Sequence, residues 1–187
     1  RSARAEPSST SIKVSNPDRV IDPSTGLRKV DLVRYYEGIA EHMLPHLRNR
    51  PVSLVRAPTG ITGELFYQKH AEATMPGLRE LDAGLWPGHA SLLAVDTAQA
   101  LVAAAQMNVV ELHTWNSVTK RIDKPDRFIL DLDPGEGVTW QLVQEAAMLT
   151  RSMLIELGLD CWLKTSGGKG LHVVVPLTPS LDYEAVK

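Results

Sequence analysis

An α+β fold, with mixed sheets and flanking helices, is what this amino-acid sequence predicts, and three observations predict it. Apolar residues recur at helical spacing, behind capping side chains, over residues 31–47, 98–107 and 139–157. Seven short β-prone runs lie among them, out of the strict strand–helix alternation of a parallel sheet. The last two runs are joined only by a glycine turn, which favours an antiparallel pair.

Residues 1–11 are rich in Ser, Ala and Arg, so a disordered arm or linker is expected there, with one domain over residues 12–187. Asn16-Pro17-Asp18 and Asp22-Pro23-Ser24-Thr25-Gly26 are turn chemistry around a short extended Val20-Ile21. Asp31 is placed to cap a helix to Leu47, with Leu32, Tyr35, Tyr36, Ile39, Met43 and Leu47 on its apolar side. Val52–Arg56 and Leu65–Lys69 are the next strands, then Leu92–Val95. Asp96 and Thr97 can cap the helix from Ala98 to Met107, and Val109–His113 follows as a strand. Arg127–Leu130 looks like a buried strand running into Asp131 and Asp133. Thr139 caps a long helix that Gly158 stops. Cys161–Lys164 and Leu171–Val175 complete the set, and the five methionines, Met43, Met75, Met107, Met148 and Met153, are expected as core filler.

A chain of 187 residues, 43% apolar, can bury one full core. Its single cysteine, Cys161, excludes a disulfide framework and fits a reducing cytoplasm. No apolar run approaches the roughly 20 residues that span a bilayer, so no membrane partner and a cytoplasmic location are expected. A net charge of −2 does not by itself mark a nucleic-acid binder. The charges are unevenly placed: residues 1–80 carry 12 Lys and Arg against 9 Asp and Glu, and the remainder carries 8 against 13.

The chemistry concentrates in Asp131-Leu132-Asp133-Pro134-Gly135 and Ser166-Gly167-Gly168-Lys169-Gly170-Leu171-His172. Alternation along a strand sends Asp131 and Asp133 to one side, about 7 Å apart, where two carboxylates can hold hard divalent ions. Successive glycines let backbone N–H groups converge on an anion, while Ser166 adds a donor and Lys169 a point charge. Asp-x-Asp alone fits a phosphatase, a glycosyltransferase or a polymerase-like two-metal site. The phosphatase pattern wants Gly-Thr or Gly-Val after the second Asp, where this chain has Pro134-Gly135-Glu136. His113 ends another apolar strand with Glu111 on its face, and its strand is a candidate for the same sheet as those of Asp131 and His172.

The strings NPDRV, TGLRK, RPVSLVR, ELFYQKH, ELHTW, DLDPG and TSGGKGLHVVVPL occur in this order. Together, from about Ser11 to the last residue, they resemble the polymerase domain of bacterial ATP-dependent DNA ligase D, in the archaeo-eukaryotic primase superfamily. The resemblance implies a template-dependent nucleotidyltransferase that fills gaps and extends DNA ends in nonhomologous end joining, using Mn²⁺ or Mg²⁺ and nucleoside triphosphates. It implies metal ligation by Asp131 and Asp133, a catalytic nucleotide-site role for His113, and triphosphate contacts by Ser166, Gly168, Lys169 and His172. Arg19 and Lys29 match basic positions that grip the 5′-phosphate of a gapped or broken duplex. Phe66 matches an aromatic that stacks on DNA, with Tyr67 beside it and Lys69 following. Implied partners are DNA ends, a ligase module in the same polypeptide and the Ku end-binding protein, at the nucleoid.

The family carries a third metal-binding aspartate downstream of the glycine loop, and Asp182 is too close to that loop to be it. The sequence is therefore expected to be a piece of that domain, truncated at its C-terminal end. A non-catalytic 5′-phosphate-binding module serving a ligase is the alternative function, and a metal-dependent phosphatase a distant third.

Overall fold

The structure is a computed structural model that describes residues 13–71, Met75 and 77–187. The arm expected over residues 1–11 lies outside the described residues. The chain divides into two compact units: residues up to Arg48 with Val52–His113, and Asn49–Pro51 with Thr114–Lys187.

The first unit opens with β1 (Val20–Asp22) and β2 (Leu27–Arg28), an antiparallel pair across the predicted turn. Helix α1 (Lys29–Leu47) starts two residues before the expected cap. Asp31 is not the N-cap but the third helical residue, and its carboxylate accepts from the Arg28 backbone N–H at 2.9 Å in a capping box. The buried stripe is correspondingly shifted to Leu32, Val33, Tyr36, Ala40, Leu44 and Leu47, which leaves Tyr35 exposed. Strands β3 (Val52–Arg56), β4 (Phe66–Gln68), β5 (Arg79–Glu80) and β6 (Leu93–Ala94) form a sheet in the order β4-β3-β6-β5. Helix α2 (Ala98–Gln106) is capped by Thr97, whose side chain accepts from Ala100 N–H, while Asp96 pairs with Arg79 at 2.6 Å. Strand β7 (Val109–Thr114) joins β3. The core is the stripe of α1 against Ala100–Ala105 of α2 and Val52, Leu54, Leu93, Val95 and Val109. The buried Tyr36 hydroxyl donates to the Val109 carbonyl at 3.1 Å, which satisfies the one polar atom on that stripe.

The second unit is a split β-α-β arrangement. Strand β8 (Arg127–Leu132) leads through α3 (Trp140–Glu156) to β9 (Trp162–Thr165) and back along β10 (Leu171–Pro176), and a single turn of helix, α4 (Tyr183–Val186), follows. The sheet order is β8-β10-β9, and both pairings are antiparallel. Val143, Ala147 and Leu154 of α3 cover one face, packing on Leu132, Leu171, Val173 and Val175. Strand β8 is half-buried rather than buried, because α3 covers only that face. The expectation of five core methionines fails here: Met148 and Met153 are exposed, beside exposed Leu149, Ile155 and Leu157. Helical periodicity marks an apolar stripe without saying whether a partner is present. No helix among the described residues is long and apolar enough to cross a membrane.

Arg50 and Asp126 form a two-pronged ion pair, at 2.8 and 2.7 Å, with side chains 13% and 23% exposed. Arg127 lies next along the chain and donates to Asn116, Thr114 and the Trp115 carbonyl. Burial and the neighbouring Arg50 cation both push the Arg127 guanidinium down, and Asp126 offsets this. Asp126→Ala therefore leaves the largely buried Arg50 without its carboxylate and beside a second cation, and urea unfolding should show a loss of about 3 kcal/mol. A loss within about 0.5 kcal/mol, the range of an ordinary surface change, would refute this reading.

Candidate functional site

Register builds the site in the second unit. On β10, His172 stands opposite Asp131 of β8 and opposite Lys164 of β9. Directly opposed residues share a face, so Asp131, His172 and Lys164 form one row on the face that α3 leaves uncovered. Asp133 lies one residue past the end of β8, where the strand alternation expected to set it beside Asp131 no longer applies. His172 Nε2 lies 3.4 Å from Asp131 Oδ1, and Asp131 stays largely exposed. Lys164 was missed in the sequence, where it stood as an ordinary strand residue. Burial and the nearby Arg127 push its ammonium down, and Asp131 draws it back up. Only the register could have identified it.

The glycine turn between β9 and β10 is organised by Ser166. Its hydroxyl donates to the Gly170 carbonyl at 3.1 Å and accepts from the Gly168 and Gly170 N–H groups, each at 3.2 Å. The hydroxyl's hydrogen-bonding capacity is thus used inside the loop. Gly167 sits at φ +92°, a conformation that favours glycine. Gly170 is required for another reason: a Cβ there would lie 2.6 Å from the Leu132 carbonyl oxygen and 3.3 Å from Asp133 Oδ1. The loop therefore abuts the end of the carboxylate strand. Lys169 lines a cleft of about 760 Å³ with Pro134, Gly135, Glu136, Val138 and Trp140. Trp140 also borders a second groove of about 570 Å³ with Met148, Trp162 and Leu163.

Among the described residues, no group of three or more His, Cys, Asp or Glu side chains gathers into a metal cage. Asp131 and Asp133 do fit an open site for a hard cation. Magnesium characteristically takes one or two carboxylates and completes its shell with water and substrate phosphates.

His113 lies on β7, in the five-stranded sheet, and so does not share a sheet with Asp131 and His172 as expected. Short apolar strands carry no mark of which sheet they join. Its Nε2 is 2.7 Å from Glu111 Oε2, two residues back on the same face.

The basic positions of the first unit do come together. Asn16, at φ +49°, turns the chain so that Arg19 N–H returns to the Asn16 carbonyl, and Lys29 N–H donates to the Arg19 carbonyl at 2.8 Å. Lys29 is only 4% exposed, and its ammonium donates to Ser15 Oγ at 3.1 Å. Burial, then the Arg19 cation, hold its pKa below the usual lysine range, and no acidic side chain pairs with it among the described residues. Arg19 donates to the Pro58 carbonyl at 2.7 Å. Pro58 lines a cleft of about 400 Å³ with Arg56, Thr59, Glu64 and the half-exposed Phe66. Arg56 was also missed; its guanidinium lies 5.9 Å from the Phe66 ring centroid. The only signal was a charge ending the alternating run Val52–Arg56. Lys69 is exposed just past β4, on the side of Tyr67 rather than Phe66 by continued alternation. His70 and His89 stack with each other and with Trp86.

Comparison with known proteins places this geometry. Residues 28–187 match the family model described as LigD, primase-polymerase domain. The chain is 48% identical over 177 residues to the multifunctional non-homologous end joining protein LigD of Pseudomonas aeruginosa, covering 94% of this chain and 21% of that protein. It is 35% identical over 174 residues to the protein of that name from Mycolicibacterium smegmatis, covering 91% and 23%. In structure it is similar to the polymerase domain of Mycobacterium tuberculosis ligase D solved in complex with DNA, with TM-score 0.80 and 30% identity, over 93% of this chain and 64% of that one. The chain thus spans under a quarter of the length of these two relatives, and on this evidence it belongs to the LigD primase-polymerase domain family.

Proposed function

We propose that this chain is the nucleotide- and end-handling part of a template-dependent nucleotidyltransferase, which extends DNA ends and fills gaps during nonhomologous end joining. The observation that carries the reading is Gly170 pressed against the end of β8, which sets a phosphate-suited loop beside Asp131 and Asp133. Asp131 and Asp133 would hold Mg²⁺ or Mn²⁺, which when bound supply charge neutralisation on the triphosphate and a more acidic primer 3′-hydroxyl. His172 braces Asp131 from the neighbouring strand. Lys169 supplies a cation to the triphosphate, and the Ser166 hydroxyl holds the loop in shape for it. A ligase module in the same polypeptide, Ku and nucleoid-bound DNA ends are the proposed partners.

A binding role in the first unit has its own support. Lys29 is a buried cation beside a second cation with no acid to balance it among the described residues, and such a pair is completed by an anion. A 5′-phosphate is the anion that a DNA end offers. This part of the function needs no catalysis.

Three outcomes follow. Asp131→Ala or Asp133→Ala, placed in a complete polymerase domain, should lower primer extension by at least about 100-fold and leave the circular dichroism spectrum unchanged. Extension at the parental rate would remove the metal assignment. Lys169→Ala should raise the nucleotide concentration needed for extension about ten-fold, with duplex binding unchanged. A loss of duplex affinity instead would move the loop to the DNA backbone.

Arg19→Ala with Lys29→Met, which keeps the buried aliphatic stem, should abolish the preference for a 5′-phosphorylated gap over a 5′-hydroxyl gap at fixed salt. Phosphate binding needs the charged ammonium, and burial makes Lys29 lose its proton at lower pH than an ordinary solvated lysine. The wild-type preference should therefore weaken as pH rises, before surface lysines titrate. Equal losses on both gaps, or a preference insensitive to alkaline pH, would mean general electrostatics.

A further inference from the structure

We infer that Gln106 is a positioning residue of the basic pocket in the first unit: its amide fastens the chain at Ser15, and the Ser15 hydroxyl so held fixes the Lys29 ammonium for a phosphate. The inference rests on the 5′-phosphate reading above. Every group it uses lies within the first unit. Gln106 is the last residue of α2, directly after the buried Ala104 and Ala105. Its Nε2 donates to the Lys13 carbonyl at 3.0 Å, and its Oε1 accepts from the Ser15 N–H at 3.2 Å and the Ser15 hydroxyl at 3.3 Å. Between those contacts Val14 packs against the core.

A carbonyl only accepts and a backbone N–H only donates, so the two ends of the Gln106 amide meet partners of opposite kind and its orientation is fixed. Neither a carboxylate nor an ammonium at this position could serve both. The Lys29 ammonium also only donates, so Ser15 Oγ accepts from it at 3.1 Å while its own hydrogen goes to Gln106. A hydroxyl that is donating is a better acceptor, which strengthens its hold on Lys29. Ser15 supplies the one acceptor for that ammonium among the described residues. A lysine head carries three rotatable donors on a flexible stem. One N–H spent on Ser15 holds the head still and leaves two for an anion. Gln106 thus acts on Lys29 only through Ser15, from 91 residues further along the chain.

Two measurements on this 187-residue chain decide the matter. In the DNA-free chain, ¹H–¹⁵N spectra of the lysine ammonium groups should show a slowly exchanging Lys29 signal. Gln106→Met, which keeps the unbranched stem, and Ser15→Ala should each broaden or erase it. Binding to two gapped duplexes that differ only in the 5′-phosphate, at fixed salt, forms the second arm. Each variant should lower the preference for the phosphorylated gap about ten-fold, the scale of one hydrogen bond to a charged group. Affinity for the 5′-hydroxyl gap and the thermal midpoint should stay unchanged. Because both residues act through one hydroxyl, the double variant should lose no more than either single one. An unchanged Lys29 signal in Gln106→Met would overturn the positioning role, as would additive losses or an equal loss on both gaps. If Arg19→Ala with Lys29→Met kept the phosphate preference while the Lys29 signal still answered to Gln106→Met, the 5′-phosphate reading would fall and the link from Gln106 to Lys29 would stand.

Discussion

The second unit depends on the register of its middle strand. Because β10 pairs antiparallel with both neighbours, one offset aligns Asp131, His172 and Lys164 and, on the opposite face, sets Leu171, Val173 and Val175 against α3. A slip of one residue would exchange these faces, burying the polar row under the helix and exposing the valines. The hydrophobic demand of α3 thus fixes the chemistry on the far side of the sheet. Gly170 locks the same register at its end, because its missing side chain is the space into which β8 delivers Asp133.

The two units treat buried cations differently. In the second, Arg50 is matched by Asp126 in a two-pronged pair, and Arg127 is surrounded by oxygen acceptors. That arrangement is self-contained and needs no ligand. In the first, Lys29 has a hydroxyl for company and Arg19 as a like-charged neighbour, so its electrostatics are incomplete. The contrast separates a cation matched by a carboxylate from one with no acidic partner among the described residues, and residue type alone does not reveal it.

Most elements were legible in the sequence because capping and turn residues are local signals. Thr97 and Thr139 each accept from a backbone N–H at the start of their helix, and Gly158 closes α3 at φ +73°. Asp31 was misassigned because it also caps α1, but from inside the helix. The Asp-x-Asp pair, the glycine turn and the β9–β10 hairpin were likewise visible. What was not legible depends on distant pairing: that β7 lies in a different sheet from β8 and β10, that Lys164 stands beside His172, and that Arg56 meets Phe66. Burial of Lys29 is of the same kind, since nothing near it in sequence distinguishes it from a solvated lysine.

Trp140 stands at the start of α3 and borders two clefts, one of them shared with Lys169. An indole that is half exposed at such a boundary changes its emission when nearby charge or water is displaced. The fold has in this way placed an intrinsic fluorophore in the cleft that Lys169 lines, so any ligand taken up there would register as an optical signal that needs neither a label nor a turnover assay.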